Sequence, residues 1–371
     1  MGRTPPSSEK PRFSNCWINV NRECNLRCTW CYAKPVGYSR SNQVDLDSFQ
    51  RLLPILTDLG IRHITILGGE PTSSADLPEI IRLAADHGIA ATLVTNGIAL
   101  ADRGYLTDLL ECGLSAIDIS LKGANEEEYL ANTHFYGFGT VMEAVGNVAA
   151  TGVQFSVSTV LSEESIKTVA GGIRLAREAG ARFFSLSFCY DFSGLSTNPK
   201  VPPAVPTVAA DVALIRAFED SYLSLCAATD EQFSLMQSYP LCLWNPEVIR
   251  VMLEKGQINS VCQLLDQTGL VLDTDFSIIP CNAMSKIKLG RFDEDWNDAR
   301  SLLNHMATGS VKDTFDLLGS APSRSCVECE LWSICGGGCV SFWINNHFDD
   351  IDHFHQEWGL GALGLESAPI D

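Results

Sequence analysis

Ten of the fourteen cysteines in this 371-residue chain fall into sets whose spacing suits metal chemistry. Cys24, Cys28 and Cys31 lie in the stretch CNLRCTWC, directly after the first expected strand. Thiolates spaced this way can converge on one face of a loop. A structural zinc takes four ligands, and cubane iron–sulfur clusters are usually held by four cysteines. Three cysteines leave one metal position open, as an active cofactor site requires. The alternative is a zinc knuckle completed by a distant His or Cys. A second set, Cys326, Cys329, Cys335 and Cys339, reads C-x2-C-x5-C-x3-C, with Gly336-Gly337-Gly338 in its last gap. Glycines there let the chain fold sharply around a cluster, with structural zinc again the alternative. Cys242, Cys262 and Cys281 stand upstream. The remaining Cys16, Cys112, Cys189 and Cys226 lie in apolar strand or helix patterns and read as packed thiols.

The elements that must carry these residues alternate. Strands are expected at 13–20, 62–67, 89–94, 116–121, 153–160 and 182–188, and helices at 45–59, 76–87, 100–112, 140–150, 163–179 and 209–229. Such βα alternation predicts parallel strands wrapped by helices. Six strands are fewer than the eight of a full barrel. The expected fold class is therefore α/β, a partial (β/α)6 barrel with its chemistry at the C-terminal ends of the strands. Residues 1–12 read as a mobile polar lead-in, 13–225 as the partial barrel and 226–371 as a cysteine-rich auxiliary domain. A Pro-rich stretch from 195 to 208 breaks the pattern before that division.

Composition narrows the function. Lys and Arg number 26 against 45 Asp and Glu, a net charge of −19. An acidic surface repels phosphate backbones and anionic membranes, so neither nucleic acid nor a membrane is an expected partner. No apolar run reaches a membrane-spanning length and the N-terminus has no signal-like apolar core, so a cytoplasmic location is expected. In a reducing compartment, clustered cysteines point to metal or catalysis rather than disulfides.

The cysteine motif after the first strand resembles that of the radical S-adenosylmethionine (radical SAM) superfamily. The resemblance continues in Gly68-Gly69-Glu70-Pro71 after the second strand, in Thr95-Asn96-Gly97 after the third and in Asp118-Ile-Ser120-Leu-Lys122 at the fourth. It implies a [4Fe–4S] cluster on Cys24, Cys28 and Cys31, whose open iron is chelated by the methionine end of S-adenosylmethionine. Gly68 and Gly69 are then expected to let the backbone approach the ligand, and Glu70 to accept from its ammonium. Asn96 and Ser120 or Lys122 are expected at the cofactor, and Trp30 against its adenine. A plain turn at Asn96-Gly97, and plain rim residues at Ser120 and Lys122, remain open as alternatives.

The C-terminal cysteines resemble a SPASM domain, which binds auxiliary [4Fe–4S] clusters. That resemblance implies Cys242, Cys262, Cys281 and Cys339 on a first auxiliary cluster and Cys326, Cys329 and Cys335 on a second. The family's later fourth cysteine is missing, leaving His347, Asp349, Asp350, Asp352, His353 and His355 as unranked substitutes. Phe276 stands where the family has Gly, and Asn282 where some sulfatase-maturing relatives have Asp, which counts against formylglycine formation. The resemblance implies a radical enzyme that forms a 5′-deoxyadenosyl radical and takes hydrogen from a substrate C–H bond. The expected substrate is a ribosomally made peptide, crosslinked, epimerised or oxidised, with auxiliary clusters accepting an electron. A sugar, nucleoside or amino acid is the alternative substrate, and a non-catalytic Fe–S or zinc module the alternative class. A reducing donor such as a flavodoxin or ferredoxin is implied. No catalytic acid or base is readable.

Overall fold

The computed structural model describes residues 13–34, 37–189, 208–236, 238–260 and 262–356. The polar lead-in, the Pro-rich stretch up to residue 207 and the chain beyond 356 lie outside the described residues.

The six expected strands form as β1 (Asn15–Asn21), β2 (His63–Gly68), β3 (Ala90–Thr95), β4 (Leu114–Ser120), β5 (Gln154–Leu161) and β6 (Phe184–Phe188). Three more follow: β7 (Phe233–Met236), β8 (Ile258–Asn259) and β9 (Gly269–Leu272). All pair in parallel in the order β8-β7-β6-β5-β4-β3-β2-β1-β9, an open sheet whose ends do not meet. The last three strands went unforeseen because each is four residues or shorter, too brief for an alternating pattern to register.

Helices cover the sheet: α1 (Leu46–Asp58), α2 (Leu77–Asp86), α3 (Arg103–Glu111), α4 (Glu126–Thr133), α5 (Phe138–Thr151), α6 (Val169–Glu178), α7 (Val208–Thr229) and α8 (Pro246–Glu254). Asp45 caps α1 by accepting from the Ser48 N–H at 2.9 Å. The same helix turns Phe49, Leu52, Leu53 and Leu56 inward at helical spacing, all fully buried. They meet Cys16, Ile18, Ile64, Ile66 and Leu93, equally buried on the sheet.

Helix α7 runs through residue 225 unbroken, and β7, β8 and β9 join the sheet from the chain beyond it. β9 returns to pair with β1, matching Cys16 to Leu270 and Ile18 to Leu272. This return brings Cys281 within reach of Tyr32 in the loop that follows β1.

Candidate active site

Cys24, Cys28 and Cys31 sit in the loop after β1. Two bonds brace that loop against α4, from Arg27 N–H to Thr133 O at 3.0 Å and from Thr29 N–H to Asn132 O at 2.9 Å. Cys24 lies within electrostatic reach of both Cys28 and Cys31. Burial pushes the Cys24 thiol up to about 12. Burial also raises Cys28, with the nearby Lys122 ammonium opposing. The metal-free Cys24 and Cys28 thiols are neutral, so binding iron must displace their protons.

Gly68 and Gly69 are needed, though for a different contact than the sequence suggests. A Cβ on Gly68 would lie 2.4 Å from the Asn21 carbonyl oxygen, and one on Gly69 would lie 2.1 Å from that of Glu23. The close approach is to the backbone of the cysteine loop. Gly69 N–H donates to Asn21 O at 2.9 Å and Glu70 N–H to Glu23 O at 2.7 Å, which sets the two loops side by side.

Glu70 is 2% exposed, and its carboxylate is already engaged. Oε1 accepts from Thr72 N–H (3.1 Å), Thr72 Oγ1 (2.7 Å) and Thr95 Oγ1 (2.6 Å), and Oε2 accepts from Asn96 N–H (2.7 Å). The carboxylate is a clamp between the loops after β2 and β3. Asn96 extends it by donating through Nδ2 to Asn25 Oδ1, inside the cysteine motif, at 2.7 Å. Its own Oδ1 accepts from Ile98 N–H at 3.0 Å, so the Asn96-Gly97 turn also joins the site.

Ser120 shares a hydroxyl bond with Ser158 at 3.3 Å, and Ser156 donates to Asp118 at 2.7 Å. Lys122 lies near Cys28. Trp30 lines two cavities, a small one with Lys122 and a larger one described below.

Several residues here carry no spacing signal. The hydroxyls of Tyr129 and Tyr105 are buried without a hydrogen-bond partner. Tyr129 faces Cys28, Glu70 and Cys24, and Tyr105 faces Glu70. Arg22 is 2% exposed, pairs with Asp273 through one nitrogen and leaves Nη1 buried and unpartnered. Tyr32 donates to Gly68 O at 3.4 Å and lies within reach of Cys31, Arg22, Cys281 and Cys24. Buried polar atoms without partners are costly in an empty protein, and around three thiols they suit a polar cofactor. The residues present fit a three-thiolate cluster and a charged nucleotide.

The C-terminal cysteines sort differently from the family pattern. Cys242, Cys326, Cys329 and Cys335 line one small cavity. Cys242 also feels the other three electrostatically. Cys281 instead lies near Cys339 and Cys262. Cys242 therefore lies beside Cys326, Cys329 and Cys335, a different neighbourhood from the one the resemblance implied. His355, one of the unranked tail residues, lines the same cavity with a buried, unpartnered Nε2. Among the described residues, no group of three or more His, Cys, Asp or Glu stands ready to hold a single metal ion.

The β1 end ties this region to the first. Asn19 donates to Asn282 Oδ1 at 2.8 Å and to Leu272 O at 3.1 Å. Asn282 therefore anchors the loop after Cys281 to β1. Phe276 keeps the turn that Gly would make, at φ 56, and buries its ring against Phe49 and Phe292. A left-handed non-glycine costs about 1–2 kcal/mol, comparable to what burying a Phe returns.

Between the cysteine loop and the C-terminal region lies a cavity of about 440 Å3. Trp30, Asp211, Tyr239, Ser341 and Phe342 are among its walls. Cys189 lines it too, so this leftover thiol faces a cavity rather than a packed core. Of the other three leftover thiols, Cys16 and Cys226 are buried and Cys112 is half-buried.

Residues 18–176 match the Radical SAM superfamily. The PqqA peptide cyclase of Ruegeria pomeroyi is 24% identical over 356 residues, 91% of this chain and 85% of that protein. The Fe-coproporphyrin III synthase of Methanosarcina barkeri is 30% identical over 164 residues, but the match spans only 40% of that relative's length. Among solved structures, Streptococcus suis SuiB bound to precursor peptide SuiA matches 90% of this chain and 74% of its own at 17% identity, with a TM-score of 0.68. Native anSMEcpe with bound AdoMet matches 95% of this chain and all of its own, 100%, at 17% identity and a TM-score of 0.63. At such identities the structures establish a shared fold.

Proposed function

We propose, from the match of residues 18–176 to the radical SAM superfamily, that this chain is a radical SAM enzyme and modifies a peptide by hydrogen abstraction at a C–H bond. The observation that carries this reading is the three-thiol loop, clamped by Glu70 and Asn96 and ringed by the unpartnered Tyr129, Tyr105 and Arg22 groups. Cys24, Cys28 and Cys31 would hold a [4Fe–4S] cluster, and the Gly68–Glu70 and Asn96 loops, with Ser120 and Lys122 at the rim, would border S-adenosylmethionine. When bound and reduced, that pair supplies a 5′-deoxyadenosyl radical. The protein's part is to orient the nucleotide and keep water and stray hydrogen donors out.

Trp30 stands between this site and the larger cavity, which we assign to substrate. A peptide substrate is favoured because the match that runs through nearly the whole chain is to a peptide cyclase, whereas the synthase match stops at the radical core. The C-terminal cysteines would hold two auxiliary clusters, Cys262, Cys281 and Cys339 on one and Cys242, Cys326, Cys329 and Cys335 on the other. Those clusters would accept an electron from the substrate radical and so oxidise it. A flavodoxin or ferredoxin would reduce the first cluster.

The test is anaerobic reconstitution, reduction and incubation with S-adenosylmethionine and candidate peptides. 5′-Deoxyadenosine should form, and its yield should rise when the correct peptide is present, with a mass change in that peptide. Formation stimulated by a sugar or nucleoside and by no peptide would overturn the peptide reading. No 5′-deoxyadenosine from an iron-loaded protein would overturn the reaction itself.

A further inference from the structure

His355 shares a small cavity with Cys242, Cys326, Cys329 and Cys335, and its Nε2 is buried without a hydrogen-bond partner. The short helix Asp352–Gln356 carries it and packs against the turn Leu241–Leu243, which contains Cys242. The His355 backbone N–H donates to Ile351 O at 3.1 Å, and Ile351 is fully buried on the same cavity wall. The imidazole ring meets Phe348 edge to face, with centroids 5.4 Å apart. Helix and ring contact together hold the imidazole at the thiols.

The cavity offers this nitrogen little besides sulfur. Pro240, Leu241, Leu331 and Ile351 give it apolar walls. Trp343 commits its Nε1–H to Gly337 O at 2.8 Å. The Leu241 backbone N–H already donates to Cys335 Sγ at 3.4 Å. Thiolates and sulfides accept hydrogen bonds and do not donate them, so a nitrogen facing them either donates or binds iron. Four thiols match the irons of a cubane and leave none for a fifth donor.

On the reading of Cys242, Cys326, Cys329 and Cys335 as cluster ligands, we infer that His355 donates its Nε2–H to a sulfur of that cluster and raises its reduction potential. The bond gains strength as the cluster gains negative charge, so it favours the reduced form. The apolar walls strengthen it further. His355 is a positioning residue: it acts through the cluster rather than on substrate, and sets how readily that cluster takes an electron.

The test uses the full chain with Cys24, Cys28 and Cys31 changed to Ala, reconstituted anaerobically so that only auxiliary clusters remain. Iron should stay at about eight per chain, about four per cluster, with His355 intact, with His355→Phe and with His355→Gln. A redox titration followed by electron paramagnetic resonance should show two midpoints. Phe keeps the ring contact with Phe348 and removes the N–H, so one midpoint should fall and the other stay. Gln returns an N–H at similar reach and should recover most of the fall. Adding Cys281→Ala should remove the midpoint that did not move. In deuterium oxide, the chain with His355 intact should lose a proton coupling on its reduced signal, and the Phe variant should have no such coupling to lose. Full iron with both midpoints unmoved in the Phe variant would overturn the inference. An equal fall in the Gln variant would also overturn it, because packing and not the N–H would then set the potential. Loss of about four irons on His355→Phe alone would overturn it too, since His355 would then be a ligand. Fewer than about eight irons with His355 intact would defeat the reading of the cysteines, and this inference with it. If the unaltered chain makes no 5′-deoxyadenosine while the midpoint still falls in the Phe variant, the proposed reaction fails and this inference stands.

Discussion

Glu70 shows how much one side chain contributes to the site. Its carboxylate takes hydrogen bonds from Thr72, Thr95 and Asn96 while 2% exposed. In Glu70→Gln one of these acceptors becomes a donor facing a donor, so stability should drop by about 1–3 kcal/mol. Urea unfolding of the metal-free chain measures this, and an unchanged midpoint would show that the clamp is dispensable. The identity of Glu70 was legible from its motif. Its role was not, because the bonding partners come from two separate loops. Tyr129 and Tyr105 were invisible for the same reason: Tyr129 reaches Cys28 and Cys24 from α4, and Tyr105 reaches Glu70 from α3, at no fixed distance along the chain.

Asp211 in the larger cavity gives a pH test. Burial pushes its carboxyl up to about 6, although bonds from Tyr239 and Asn346 oppose the rise. Unfolded, the group titrates near the ordinary 3.9. Between those values the folded state holds the proton more tightly. The group's contribution to stability is therefore complete below the unfolded value and is lost as pH rises through about 6. Asp211→Asn should remain flat over that range where the unaltered chain weakens. Parallel urea midpoints from pH 4 to 7 for the two proteins would contradict this.

At the scale of elements, the order of strands was legible from β1 to β6, with the helices between them except the eight-residue α4, too short and too acidic at its start to show an apolar face. What the pattern concealed was how far the sheet continues. β7 extends one edge from β6, and β9 extends the other from β1. A chain ending at residue 225 would therefore lose the neighbours of both edges and cut α7 short. Exposed parallel edges invite aggregation. Such a truncation should be insoluble or unfold without cooperativity. A monomer with one sharp unfolding transition would show instead that 13–225 is an independent domain. The turn after β7 delivers Cys242 to the cavity that Cys326, Cys329 and Cys335 line, a neighbourhood that positions along the chain do not reveal.

The molecule as a whole carries a charge of −19, and among the described residues no helix is long and apolar enough to cross a membrane. Its ten clustered cysteines divide as three, three and four, strung from the loop after β1 to the C-terminal region. Tyr32 lies within reach of both the first set and Cys281. This places the first thiol set close to one of the C-terminal thiols. The central claim is that these thiols hold three clusters. It is tested most directly by counting iron in the anaerobically reconstituted chain beside the variant with Cys24, Cys28 and Cys31 changed to Ala. At about four irons per cluster, about twelve in the first and about eight in the second would bear the account out. About four in the first and almost none in the second would contradict it, since the C-terminal thiols would then hold no cluster.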